Sequence, residues 1–168
     1  MIHLRVMPGG LVRQNAVMLD IWDPTGSADP ATFLRCLEVG IDRNLTQDPL
    51  FGFRLLNDIA LRALSTAVND PATAVQAIDA IEGLLLTLVV RDLAIGVIPD
   101  ETNTPRVLLN VPDRDNFLTA GTDEISCLPV HPMVRGRIGV MLQQILAIAP
   151  AERRPSVERR LADLNGRA

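Results

Sequence analysis

The sequence predicts an α+β chain, mainly α: a bundle of about four helices around a central apolar helix, with a small N-terminal β element and a β-hairpin. Three observations carry this. Asp-Pro pairs at 29–30, 48–49 and 70–71 each place a capping carboxylate before a proline at the first helical position. The stretches behind them repeat apolar residues three and four apart, the period of a helix face. Two stretches outside them, near the N-terminus and after Arg91, read instead as short strands joined by turn residues.

Taken in order, Ile2-His3-Leu4-Arg5-Val6 alternates apolar and polar residues, and Pro8-Gly9-Gly10 marks a turn. Leu11-Val12 and Val17 to Trp22 are the candidate returning strands, and Asp23 to Ser27 is a break, so residues 1–23 form the β element. Phe33, Leu37 and Ile41 predict a helix from Pro30 to near Asn44. The helix from Pro49 to about Ser65 is apolar around most of its perimeter and is expected at the centre of the domain, with Arg54, Asn57, Asp58, Arg62 and Ser65 as its polar stripe. Val75, Ile78, Ile81, Leu85 and Leu88 mark the core face of the next helix, which runs to about Arg91 and closes a helical core over 29–91. Asp92 to Pro99 and Arg106 to Val111, joined by Asp100 to Pro105, predict the hairpin over 92–112. Asp113 to Thr119 reads as a short helix and Gly121 to Pro132 as irregular. Helices over about Met133–Ala149 and Pro155–Leu164 make up a C-terminal part spanning 133–165. All of this is expected to form a single soluble domain over 1–168.

Composition narrows the function classes. Hydrophobic residues make up 48% of the 168, enough for a sizeable core, and charged residues 21%. The net charge is −4, and every one of the 16 basic residues is arginine. No basic footprint for a nucleic-acid backbone results, and four Phe, one Trp and no Tyr make poor stacking platforms for bases. The two cysteines, Cys36 and Cys127, form neither a disulfide framework nor a zinc set; both are expected to be buried as small apolar groups in a reducing compartment. The apolar runs Gly83–Val90 and Ile138–Ala149 fall short of the ~18–20 residues of a membrane span, and no signal peptide is read.

The strongest polar constellation is Arg54, Asp58 and Arg62, four apart on one helix face. One reading is an ion-pair ladder; the other is an anion or ligand contact made by the two guanidiniums. Asn69-Asp70-Pro71 is the second candidate, with Asp70 as helix cap and Asn69 in a left-handed turn. Tentative ligand-binding residues are therefore Arg54, Asp58, Arg62, Asn69 and Asp70. His3 and His131 share no metal-ligand spacing with other donors, so no metal or cofactor is expected. Asp79 and Glu82, three apart, are expected to face solvent. No nucleophile elbow, phosphate-binding loop or zinc-protease signature occurs, and no catalytic residue is assigned.

One long stretch carries a resemblance. Asp42-Arg43-Asn44-Leu45-Thr46-Gln47-Asp48-Pro49-Leu50-Phe51-Gly52-Phe53-Arg54 leads into Asp58-Ile59-Ala60-Leu61-Arg62-Ala63-Leu64-Ser65 and then Asn69-Asp70-Pro71-Ala72-Thr73-Ala74. This run resembles the soluble part of a bacterial family of predicted membrane proteins, domain of unknown function 2254. Leu4-Arg5-Val6-Met7-Pro8-Gly9-Gly10-Leu11-Val12 is similar to the family's strand–turn element, except that its Gly-Asp is Gly9-Gly10 here. The family carries transmembrane helices ahead of this region, so the chain is expected to be an excised domain or a stand-alone relative. The resemblance implies a place at the inner face of the bacterial plasma membrane and implies no activity.

Three functional expectations follow. The first is a non-catalytic assembly or regulatory domain, cytoplasmic, forming a homo-oligomer or meeting a membrane-protein partner or its own transmembrane region, without nucleic acid. The second is a small-molecule sensor holding an anion against Arg54 and Arg62. The third is a hydrolase using Asp58 or Asp70, which the lack of a nucleophile–base pair or metal set disfavours.

Overall fold

The structure, a computed structural model, describes residues 1–127 and 131–166. Its elements are β1 (Ile2–Leu4), β2 (Leu19–Ile21), α1 (Pro30–Leu34), α2 (Pro49–Ala63), α3 (Pro71–Val89), β3 (Val97–Pro99), β4 (Pro105–Leu109), α4 (Arg114–Leu118), α5 (Glu124–Cys127), α6 (Pro132–Ile148) and α7 (Arg154–Gly166). A π-helical turn, Thr119–Asp123, joins α4 to α5, and a 3₁₀ turn, Ala151–Arg153, leads into α7. The α+β, mainly α class holds. Two compact units interleave along the chain: Met1–Pro49 with Leu93–Pro112, and Leu50–Asp92 with the described residues from Asp113 onward. Residues 29–49, which the sequence groups with the helical core, thus cluster with the sheet.

The first unit is built on one four-stranded sheet in the order β2-β1-β4-β3. β1 pairs antiparallel with β2 and parallel with β4, and β3 pairs antiparallel with β4. The N-terminal β element and the hairpin are therefore halves of one sheet. Register puts Ile2, Ile21, Val107 and Ile98 side by side on one face, with Leu4, Leu19 and Leu109 in the next row. Leu11-Val12 is not a strand. In the hairpin turn, the Asp100 carboxylate accepts the Thr102 and Thr104 N–H groups, the Thr102 hydroxyl and Arg106 Nε. The Thr102 hydroxyl, then Arg106, hold the Asp100 pKa well below the carboxylate range. Asp23 organises the earlier break in the same way through Thr25 and Ala28.

Helix α1 stops at Leu34 although the apolar spacing predicts a helix to near Asn44. Asp29 does cap it, accepting Ala31 N–H. However, α1 buries no residue and Ile41 is 103% exposed, so nothing packs against a continued helix. A short helix without a buried face is marginal. Asp48, at the start of α2, is buried and takes the Arg43 guanidinium. Its carboxylate lies directly against Gly9, where φ is +70° and an added Cβ would sit 2.2 Å from Asp48 Oδ2. Only glycine fits both the backbone angle and the space.

The second unit is helical, and its centre is the pair α3 and α6. α3 buries Ala74, Ala77, Ile78, Ile81, Leu85 and Val89; α6 buries Val134, Ile138, Met141, Leu142 and Ile145. α7 adds Val157 and Leu164. The central apolar helix is thus α3. α2, placed at the centre by its composition, buries Leu50, Phe53, Asn57, Ala60 and Ala63 and leaves Leu55 and Ile59 exposed. Asp79 and Glu82 do not face solvent together. Arg137 of α6 donates to Asp79 at 2.6 Å and to both oxygens of Glu82, which is buried. Glu82's hydrogen bond raises the Arg137 pKa above its ordinary value against the opposing effect of burial, with help from Asp79.

The stretch from Gly121 to Pro132, read as irregular, contains the end of the π turn, α5 and the start of α6; residues 128–130 lie outside the described residues. Gly121 lets this turn meet α2 and α3, since a Cβ there would sit 2.9 Å from Ile81 Cγ2 and 3.3 Å from Phe53 Cδ1. Two arginines close the C-terminal end of α3, Arg153 donating to the carbonyl of its last residue, Val89, and Arg114 to the carbonyl of Arg91 just beyond it. With 19 residues and a mean hydropathy of 1.5, α3 is long and apolar enough to cross a membrane by length and composition, which corrects the expectation that no segment is. Counting only the uninterrupted run after Glu82 hid it. Here its apolar face packs as a core helix does, and its two acids meet Arg137.

Candidate functional site on helix α2

The buried residues of α2 follow the helical period at 50, 53, 57, 60 and 63. The opposite stripe must then carry residues 54, 58 and 62, and Arg54, Asp58 and Arg62 are all exposed there. Leu55 (40% exposed) and Ile59 (47% exposed) run alongside. Although the spacing suits an ion-pair ladder, none of the three charges makes a side-chain hydrogen bond or ion pair among the described residues. Their charges stay available to a partner outside the chain.

Asn69 and Asp70 sit in the turn between α2 and α3. The Ser65 carbonyl accepts Val68 N–H at 3.1 Å and Asn69 N–H at 2.8 Å, and Asp70 N–H reaches back to the Ala63 carbonyl at 2.8 Å. Asn69 has φ +46°, the left-handed conformation that asparagine tolerates better than most residues. The Asp70 carboxylate accepts the N–H groups of Ala72 and Thr73 at 3.1 Å each and the Thr73 hydroxyl at 2.5 Å. The Thr73 hydroxyl, then the Thr73 N–H, lower its pKa. Asp70 is therefore a cap engaged by its own helix. No hydrogen bond or ion pair links Asn69 or Asp70 to Arg54, Asp58 or Arg62 among the described residues.

Other polar groups meet where the sequence offers no signal. Asn57, 2% exposed, donates from Nδ2 to Glu124 Oε2 at 2.8 Å, and its Oδ1 has no partner among the described residues. Glu124 lines an open cleft with Leu61, Asp123 and Cys127. Arg160 of α7 binds Asp123 at 2.9 Å, Asp115 at 3.0 Å and Thr119 at 2.8 Å. Burial opposes the charge on Arg160, and Asp123 and Asp115 together outweigh it. His131 caps α6, its Nδ1 accepting Met133 N–H, and His3 stacks on Trp22 with ring centroids 6.3 Å apart. Cys36 and Cys127 are both exposed free thiols, against the expectation that each is buried.

Residues 1–144 match the family model described as Predicted membrane protein (DUF2254). The chain belongs to this family. Two mycobacterial proteins are similar to it: the uncharacterized protein Rv1290c of Mycobacterium tuberculosis and the uncharacterized protein Mb1321c of Mycobacterium bovis. Each is 38% identical over 100 residues, which cover 60% of this chain and 19% of the relative. The chain thus spans about a fifth of the length of the curated relatives it matches. No solved structure matches it. The family run from Asp48 to Ala74 now has physical content. It holds the buried Asp48, the exposed α2 stripe, and the capped Asn69-Asp70-Pro71 turn.

Proposed function

We propose that this family domain works by surface contact, as an assembly or regulatory module at the cytoplasmic face of a membrane protein. The observation that carries the reading is the α2 stripe. Arg54, Asp58 and Arg62 are exposed, unpaired among the described residues, and flanked by the exposed apolar side chains of Leu55 and Ile59. Mixed charge beside a modest apolar strip is the make-up of a protein contact rim. The two exposed thiols suit a reducing compartment.

The anion-sensor reading fits the stripe less well. Arg54 and Arg62 are separated by about 12 Å of helix rise, too far to close on one small anion. Asp58 stands between them and repels negative charge. Small-ligand sites are concave, whereas these side chains lie on the outer face of a helix. The test is the mass of the chain in solution, by light scattering from micromolar to near-millimolar concentration. Association that rises with concentration is expected; a strict monomer throughout removes the reading.

A further inference from the structure

The assembly reading leaves the partner open, and the order of residues on α2 selects one. We propose that the exposed face of α2 is an isologous docking surface for a second copy of this chain, with the two α2 helices antiparallel; this rests on the assembly reading above. The stripe carries both signs in alternation, Arg54 then Asp58 then Arg62, with Leu55 and Ile59 beside it. An anionic membrane or polyanion would call for one sign only, and Asp58 works against it. An antiparallel second copy supplies an opposite charge for Arg54 and for Asp58.

The geometry can be followed residue by residue. In an isologous pair, a two-fold axis perpendicular to the helices relates the copies, and side chains on one flank of the seam meet the same flank of the other copy. Let the axis cross level with Leu56, midway between Arg54 and Asp58. Asp58 of each copy then lies level with Arg54 of the other, and two symmetric Arg54–Asp58 contacts result. The two Asp58 carboxylates stand four residues, about 6 Å of helix rise, apart. Leu55 lies two residues, about 3 Å of rise, from the levels of both Leu55 and Ile59 of the other copy, so the apolar strips cover each other. Arg62 falls beyond the contact, level with Leu50 of the other copy and four residues past the level of its Arg54.

The test is sedimentation equilibrium on the full chain under reducing conditions, with Arg54→Asp, Asp58→Arg, the double inversion carrying both changes, and Arg62→Ala. All three substituted positions are exposed, and circular dichroism checks that each variant is folded. Each single inversion sets two like-charge pairs in the interface and is expected to weaken association by on the order of tenfold or more. The double inversion re-forms both pairs with their signs exchanged and is expected to recover to within about threefold of the wild type; Arg62→Ala is expected to stay within the same range, about 0.65 kcal/mol. Rescue by the double inversion is particular to a self-complementary contact. An oligomer that both single inversions leave intact, or that the double inversion fails to restore, overturns the α2 docking surface while the assembly reading stands. A loss at Arg62→Ala as large as at Arg54→Asp overturns this register. A chain that is monomeric at every concentration overturns both.

Discussion

Removing the Arg137 side chain is the sharpest perturbation of the helical unit. Arg137 bridges α6 to α3, donating to Glu82 through two nitrogens and to Asp79 at 2.6 Å. Its side chain is 20% exposed and that of Glu82 11%, whereas Asp79 is half exposed. The Asp79 arm is therefore screened and adds at most about 1 kcal/mol. The Glu82 arm differs, because Arg137→Ala leaves a carboxylate in the α3–α6 seam without its cation. Breaking a buried pair in this way costs about 3–5 kcal/mol, and the residual exposure of Glu82 favours the lower end. The expected loss is about 3 kcal/mol, or a fall of roughly 6–12 °C in the thermal midpoint at the scaling for chains of this size. The assay is denaturant unfolding followed by far-UV circular dichroism, with Glu82→Leu/Arg137→Leu as the control. The double variant removes both charges, so it is expected to recover most of the loss. A loss below about 1 kcal/mol for Arg137→Ala, or a double variant as unstable as the single one, would refute the reasoning.

Three further outcomes are expected. Gly121→Ala pushes a methyl to 2.9 Å from Ile81 and is expected to cost about 1–3 kcal/mol, whereas Gly83→Ala, with nothing within 4 Å on the exposed side of α3, is expected to stabilise by about 0.4–1 kcal/mol; denaturant midpoints of the two variants decide it. Cys36 and Cys127 are both expected to react in the native protein with a thiol reagent at rates near those of the unfolded chain, and a native count below two contradicts their exposure. Asp23, Asp70 and Asp100 all have lowered pKa values, so the stability they contribute is complete above the unfolded carboxylate pKa near ~4 and is lost as pH falls from there toward their folded values. Asp70→Ala is expected to flatten the decline of the thermal midpoint below that pH, and an unchanged slope contradicts the cap.

What could be read from the sequence was local. Asp29 and Asp70 before proline announced helix starts because capping acts within three residues, and the spacing at 78, 81 and 85 marked the α3 core face, whereas Val75 and Leu88 are only half-buried and Ala74, Ala77 and Val89 complete that face. The Asp100 turn and α4 were legible for the same reason. Long-range pairing was not. The parallel contact of Ile2–Leu4 with Val107–Leu109 joins segments some hundred residues apart, and neither segment signals its partner. Arg137 is the missing half of the Asp79–Glu82 reading, and a lone arginine inside Gly136-Arg137-Ile138-Gly139 names no acid 55 residues away. The helix expected beyond Leu34 had the right period but nothing to pack on. Composition misplaced the centre, because α2 is apolar enough to be buried on most sides yet keeps Leu55 and Ile59 at the surface. Of the candidate site, the stripe Arg54-Asp58-Arg62 was legible as one face. That its charges go unpaired among the described residues, and that Asp70 is engaged by Thr73, required the structure.

The most direct test of the α2 surface is amide hydrogen exchange of the wild-type chain, compared between dilute and concentrated protein. Peptides covering residues 53–63 are expected to exchange more slowly as concentration rises, while peptides from the sheet and from α7 keep their rates. Uniform rates in the α2 peptides at every concentration, or slowing centred on another element, would contradict α2 as the contact surface.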